Sequence, residues 1–135
     1  MIKPEIMKTL QLIIKQKFFD DIIAGTKKQE FRDIKPTTVA KYVQFLVGET
    51  VYAKEEDIPV DVKDEDIELQ PIPYDAIQFY VGYNKNRNSA LVEVTGAMIE
   101  IFTDETGNDI VHEQNGVEYL DAQIVYDLGK LLEKN

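Results

Sequence analysis

The sequence predicts an α+β fold with a mixed or antiparallel sheet, and three observations carry that expectation. Segments of alternating apolar and polar residues recur along the chain, so two or three short helices stand against five to seven strands. The elements follow no regular βαβ alternation, which argues against a doubly wound parallel sheet. The 135 residues, 44% of them apolar, suit one folded domain spanning residues 1–135 with a core that needs no staples. A sheet of this size with short flanking helices can curl into a small barrel.

The elements follow in order. Leu10, Leu12 and Ile14 alternate with Gln11, Ile13, Lys15 and Lys17, a strand whose polar face carries the two lysines side by side. Phe18, Phe19, Ile22 and Ile23 make one helical stripe, and Gly25 stands where a helix commonly ends on a left-handed residue. Lys28 to Ile34 alternates again, with Lys28, Glu30 and Arg32 on one face and Gln29, Phe31 and Asp33 on the other. Pro36-Thr37-Thr38 opens a second helix over Val39–Val47, closed by Gly48. Val51 to Ala53 starts a strand. Residues 55–68 hold eight acids and one base, Lys63, and read as a long acidic connection.

Ala76 to Tyr83 reads as a buried strand with Ile77, Phe79, Val81 and Tyr83 inward. Asn84 to Asn88 is turn chemistry, Ala90 to Val94 the partner strand, Gly96 a candidate bulge and Met98 to Thr103 a further strand. Asp104 to Asp109 is another turn. Ile110 to His112 is short and ambiguous, and Ala122 to Leu132 fits either helix or strand.

Composition excludes several function classes. Without cysteine there is no disulfide, thiolate metal site or cysteine nucleophile, and a reducing, cytoplasmic setting fits. His112 is the lone histidine, placed in an exposed loop, so no metal is expected. No P-loop and no G-x-G-x-x-G occur, so no cofactor is expected. Met1 to Leu10 is too charged for a signal peptide, and no apolar run approaches a membrane span. The net charge of −10 is uneven: residues 1–41 carry nine bases and five acids, the remaining 94 carry six and twenty. The asymmetry fits either a polarised surface with its basic part in the N-terminal third or acids that are simply denser in loops.

One motif stands out there. Gly25-Thr26-Lys27-Lys28-Gln29-Glu30-Phe31-Arg32 fits G-x-K-x-x-E-x-R, a chance event on the order of one in a thousand in a chain this long, so its position between helix end and strand has weight. The segment resembles the signature of the ASCH family, a branch of the PUA-like β-barrel proteins. The strand Leu12 to Lys17 and the run Phe18 to Ala24 are similar to that family's lead-in, and the likeness covers about residues 10–34. The hairpin from Tyr80 to Val94 and Leu128-Gly129-Lys130 are similar in style.

The resemblance implies a PUA-like barrel, a cleft lined by the signature residues and an RNA-related role. Some small ASCH proteins are amidohydrolases that remove an acyl group from a modified cytidine, their G-x-K lysine acting beside a threonine. Lys27 matches that lysine, but Glu30 occupies the threonine position, and a carboxylate cannot replace a hydroxyl nucleophile without a different intermediate.

Residue chemistry alone leaves two readings of the motif. Arg32 offers a fork of donors suited to phosphate or a base edge, and Lys27 can reach the same place. Equally, Glu30 and Arg32 on one strand face can form a structural ion pair. Lys27 and Glu30 have opposite strand parity, so they meet only if the strand begins after Lys27 or bulges. Lys15 and Lys17 either extend a basic groove beside the motif strand or guard a sheet edge. Tyr80, Tyr83, Lys85 and Arg87 combine aromatic and basic groups, with Tyr83 expected in the core and the two bases at a polar hairpin tip.

Three functions follow as expectations. The first is a module binding RNA or a modified nucleotide through Lys15, Lys17, Lys27, Glu30 and Arg32. The second is a small hydrolase, an amidohydrolase or ribonuclease, with Lys27 and Glu30 as its acid–base pair. The third is a protein adaptor using the acidic 55–68 connection.

Overall fold

A computed structural model of the chain describes residues 7–135; residues 1–6, part of the charged start set apart from a signal peptide, lie outside it. The elements are β1 (Thr9–Ile14), α1 (Gln16–Ala24), β2 (Gln29–Asp33), α2 (Val39–Tyr42), β3 (Val43–Val47), β4 (Thr50–Tyr52), β5 (Ile67–Pro71), β6 (Ala76–Val81), β7 (Ser89–Ile101), β8 (Val111–Gln114), β9 (Val117–Leu120) and β10 (Ala122–Lys134). Strands take 51% of the described residues and helices 15%, so the fold is a strand-dominated α+β. The chain forms two compact units, one reaching Glu30 and adding Pro73–Ala97 and Tyr126–Asn135, the other Phe31–Ile72 with Met98–Val125.

In the first unit the strand order is β1-β6-β7-β10-β2, with the leading part of β7, the trailing part of β10 and the first two residues of β2. β1 runs parallel to β6, Leu12 opposite Phe79, and β6 runs antiparallel to β7, Phe79 opposite Ala90, so the sheet is mixed. Alternation along β1 buries Leu10, Leu12 and Ile14, which meet a core of Ile77, Phe79, Val92 and Tyr126. Helix α1 covers this core with Phe19 and Ile22. It stops at Gly25, whose φ of 78° is a conformation that only glycine adopts without strain.

Two long strands replace shorter expected pieces here. Residues 89–101 form one strand through Gly96, where a bulge and a separate strand from Met98 were expected. Gly96 serves close approach, since a Cβ there would lie 2.9 Å from Asp127 Oδ2. The ambiguous C-terminal segment is strand β10, and its β-branched Ile124 and Val125 are buried.

The second unit contains the three-stranded antiparallel sheet β4-β3-β5 and the hairpin β8-β9. Its core is Tyr42, Val43, Phe45, Ile58, Ile124 and Val125. The helix expected over Val39–Val47 is a single turn. Val43 turns extended at φ −123°, ψ 137°, and Val43 and Phe45 point into the core while Gln44 pairs with Gln70. The β-branched and aromatic residues at alternate positions favour pleated backbone once a core is there to receive them. Gly48 consequently turns the β3–β4 hairpin instead of ending a helix.

The acidic connection is punctuated by two 3-10 turns, Glu55–Asp57 and Asp64–Asp66, and pinned between them by buried Ile58. His112 sits on strand β8, not in a loop, with Asp121 Oδ1 3.5 Å from its Nε2. Among the described residues no helix is long and apolar enough to cross a membrane, and no cluster of three or more His, Asp or Glu side chains could hold a metal.

Candidate functional site

The motif begins where α1 ends. The N–H groups of Thr26 and Lys27 both donate to the Asp21 carbonyl, each at 3.0 Å, and the Thr26 hydroxyl donates to it as well at 3.2 Å. These bonds satisfy carbonyl capacity that a helix end otherwise leaves open and fix the path of the connection. The chain then enters β2 at Gln29, and the Lys28 carbonyl accepts from Leu128 N–H at 2.9 Å.

Because the strand starts after Lys27, the parity obstacle disappears. Lys27 Nζ lies 3.2 Å from Glu30 Oε1, an ion pair in which the lysine side chain is 20% exposed and the carboxylate 6%. A buried carboxylate of this kind requires an opposite charge or several donors beside it. The same ammonium stands 5.5 Å from the centroid of the Phe18 ring, within cation–π range. Phe18 is 42% exposed, whereas its neighbour Phe19 is buried. The expected stripe thus splits: Phe19 enters the core and Phe18 stays outside beside Lys27.

Strand β2 keeps the expected alternation with its usual polarity reversed. Glu30 is inward and Phe31 is exposed. Arg32 is half-buried and belongs to the second unit. On the exposed side of β2, Gln29 Nε2 donates to Asp127 Oδ1 at 2.8 Å.

Lys15 and Lys17 do not share a strand face. β1 ends at Ile14, so Lys15 caps the start of α1 with extended backbone and Lys17 lies inside the helix; both are exposed. β1 and β2 are not hydrogen-bonded neighbours in the sheet, whose strand order separates them by β6, β7 and β10. A hollow of about 240 Å³ in the first unit is lined by α1 residues including Gln16, Phe19 and Asp20, and by Asn88 and Lys134, not by the motif.

At the hairpin after β6, Tyr83 is 85% exposed and outside the core. Gly82, at φ 65°, ends the alternation before it. The guanidinium of Arg87 lies over the Tyr80 ring at 3.9 Å and donates to the Gly82 carbonyl at 3.1 Å, so it closes the turn.

Charge separates by unit. Among the described residues the first unit carries nine bases and seven acids, a net of +2. The second carries five bases and seventeen acids, a net of −12. The basic N-terminal third thus contributes mainly to the unit that holds Lys27. Comparison with family models, curated proteins and solved structures gives no match.

Proposed function

We propose that the chain is a binding module for RNA or a modified nucleotide, with Lys27 and Phe18 as the contact pair. The observation that carries this reading is the partly exposed Lys27 ammonium held between the buried Glu30 carboxylate and the exposed Phe18 ring. An exposed aromatic face beside a fixed cation suits a base that stacks and a phosphate that follows it. Glu30 sets the position of Lys27. The net charge of +2 on this unit supports the reading, and the −12 of the other confines phosphate to the first. An ASCH-type signature in Gly25–Arg32, a PUA-like barrel and a cytoplasmic setting belong to the same proposal.

Burial of Glu30 favours binding over hydrolysis, because a general base must reach a substrate proton. The test is fluorescence anisotropy with short single-stranded RNA at two salt concentrations. The parent binds with an affinity that falls with salt, Lys27→Ala and Phe18→Ala each weaken it about tenfold, and Arg32→Ala reads the last position of the signature. Failure of the parent to bind at low salt overturns the proposal for generic RNA.

A further inference from the structure

The second unit holds a cleft of about 510 Å³ that composition and alternation did not reveal. Val43 and Phe45 form its floor, and both are buried. Leu69, Ile101, Val117 and Leu120 form its sides, and each is 40–51% exposed. A neighbouring hollow shares Pro36, Val39, Phe45 and Glu55 with it, so the two make one groove. Four large aliphatic side chains gathered on an open groove form an apolar patch of the kind that marks an interaction site.

Charge identifies the occupant. Glu55 and Glu118 line the cleft, and Glu56 lines the adjoining hollow with Lys54 only 3.9 Å away. Among the described residues Lys35 is the one basic residue lining the cleft itself, within a unit whose described residues carry a net −12. Nucleic acid and anionic ligands are repelled there. A second copy of this chain brings the same charge, −10 in all, and is repelled too. A groove of this volume takes a few aliphatic anchors, as when an amphipathic helix lays its apolar stripe into a partner.

We infer that this groove docks a basic amphipathic segment of another protein, with Leu-like anchors between Ile101 and Leu69 and Lys or Arg side chains against Glu55, Glu56 and Glu118. This surface differs from an acidic connection acting alone, because the apolar groove supplies the anchoring and the acids select the partner's charge. It stands whether or not the nucleotide reading holds.

The experiment uses the full chain and three labelled peptides of about 18 residues: Leu and Lys with leucines at helical-stripe spacing, the same composition scrambled, and a Leu and Glu counterpart. The striped basic peptide binds at least about tenfold more tightly than either control. Ile101→Thr and Val117→Thr, at exposed strand positions that tolerate threonine, each weaken it about tenfold, and Glu55→Lys with Glu118→Lys weakens it further in low salt. Equal binding of the scrambled peptide, no binding at all, or binding untouched by the Ile101 and Val117 variants overturns the inference. So does self-association in sedimentation that those variants abolish, which would assign the groove to a second copy.

Discussion

Lys27 Nζ and Glu30 Oε1 lie 3.2 Å apart, joining the connection after α1 to the first residues of β2. The carboxylate is nearly out of water, and the ammonium is one of the groups that offset its burial. The pair also decides where Lys27 points, and so ties the local stability of β2 to the proposed ligand contact.

That coupling is measurable by urea unfolding of Lys27→Met, Glu30→Gln and the double variant. The cycle is expected to return an interaction of about 1–3 kcal/mol. Additive single effects would show that the two groups do not support one another.

The two adjacent phenylalanines separate packing from ligand contact. Phe19→Ala removes a buried ring and is expected to cost about 3–5 kcal/mol. Phe18→Ala removes a half-exposed ring and should cost less than about 1 kcal/mol. Thermal or urea unfolding checks the contrast. Equal losses would mean that Phe18 belongs to the core and is no candidate for stacking.

The β8–β9 hairpin turns on Asn115 at φ 52° and Gly116 at φ 80°. A Cβ at Gly116 meets no neighbour, so the penalty for Gly116→Ala is conformational. It is expected to be about 1–2 kcal/mol, with faster amide exchange confined to Val111–Gln114 and Val117–Leu120. Unchanged exchange in those strands would contradict the role of the turn.

Asp104 ties its own loop together through its carboxylate. Its carboxylate accepts from the Thr106 hydroxyl at 2.8 Å, the Asn108 N–H at 3.0 Å and the Thr106 N–H at 2.9 Å. The Thr106 hydroxyl first, then the backbone donors, hold its pKa below the ordinary 3.8. For a lowered carboxyl the contribution is present above the unfolded-state value and is lost as pH falls through the folded one. The amide resonances of Thr106 and Asn108 should therefore titrate together below pH 3.8, and Asp104→Asn should abolish that step. Titration at or above 3.8 would contradict the hydrogen-bond account.

Legibility in the sequence followed the strength of local signals. β1, the turn at Gly25 and the β6–β7 pairing were readable, because alternation and glycine placement act within a few residues. The Asn115-Gly116 pair between Gln114 and Val117 is a local hairpin signal, and the β8–β9 pairing forms around it although Ile110 to His112 carries too little alternation to mark a strand. Val39–Val47 divided at Val43 because a distant strand, β5, offers Val43 and Phe45 a sheet to join. Alternation placed Glu30 and Phe31 on opposite faces. It did not indicate that the charged face would be the inward one, because that depends on Lys27 arriving from outside the strand. The apolar groove of the second unit gathers residues from Ile34 to Ala122, a juxtaposition that no local pattern encodes.

The nucleotide reading is tested most directly by amide-resolved NMR of the chain titrated with a short single-stranded RNA. The account predicts shifts that saturate at Phe18 and at Thr26 through Glu30, lost in Lys27→Ala while the remaining spectrum is kept. Shifts confined to other segments, or none at low salt, would contradict it.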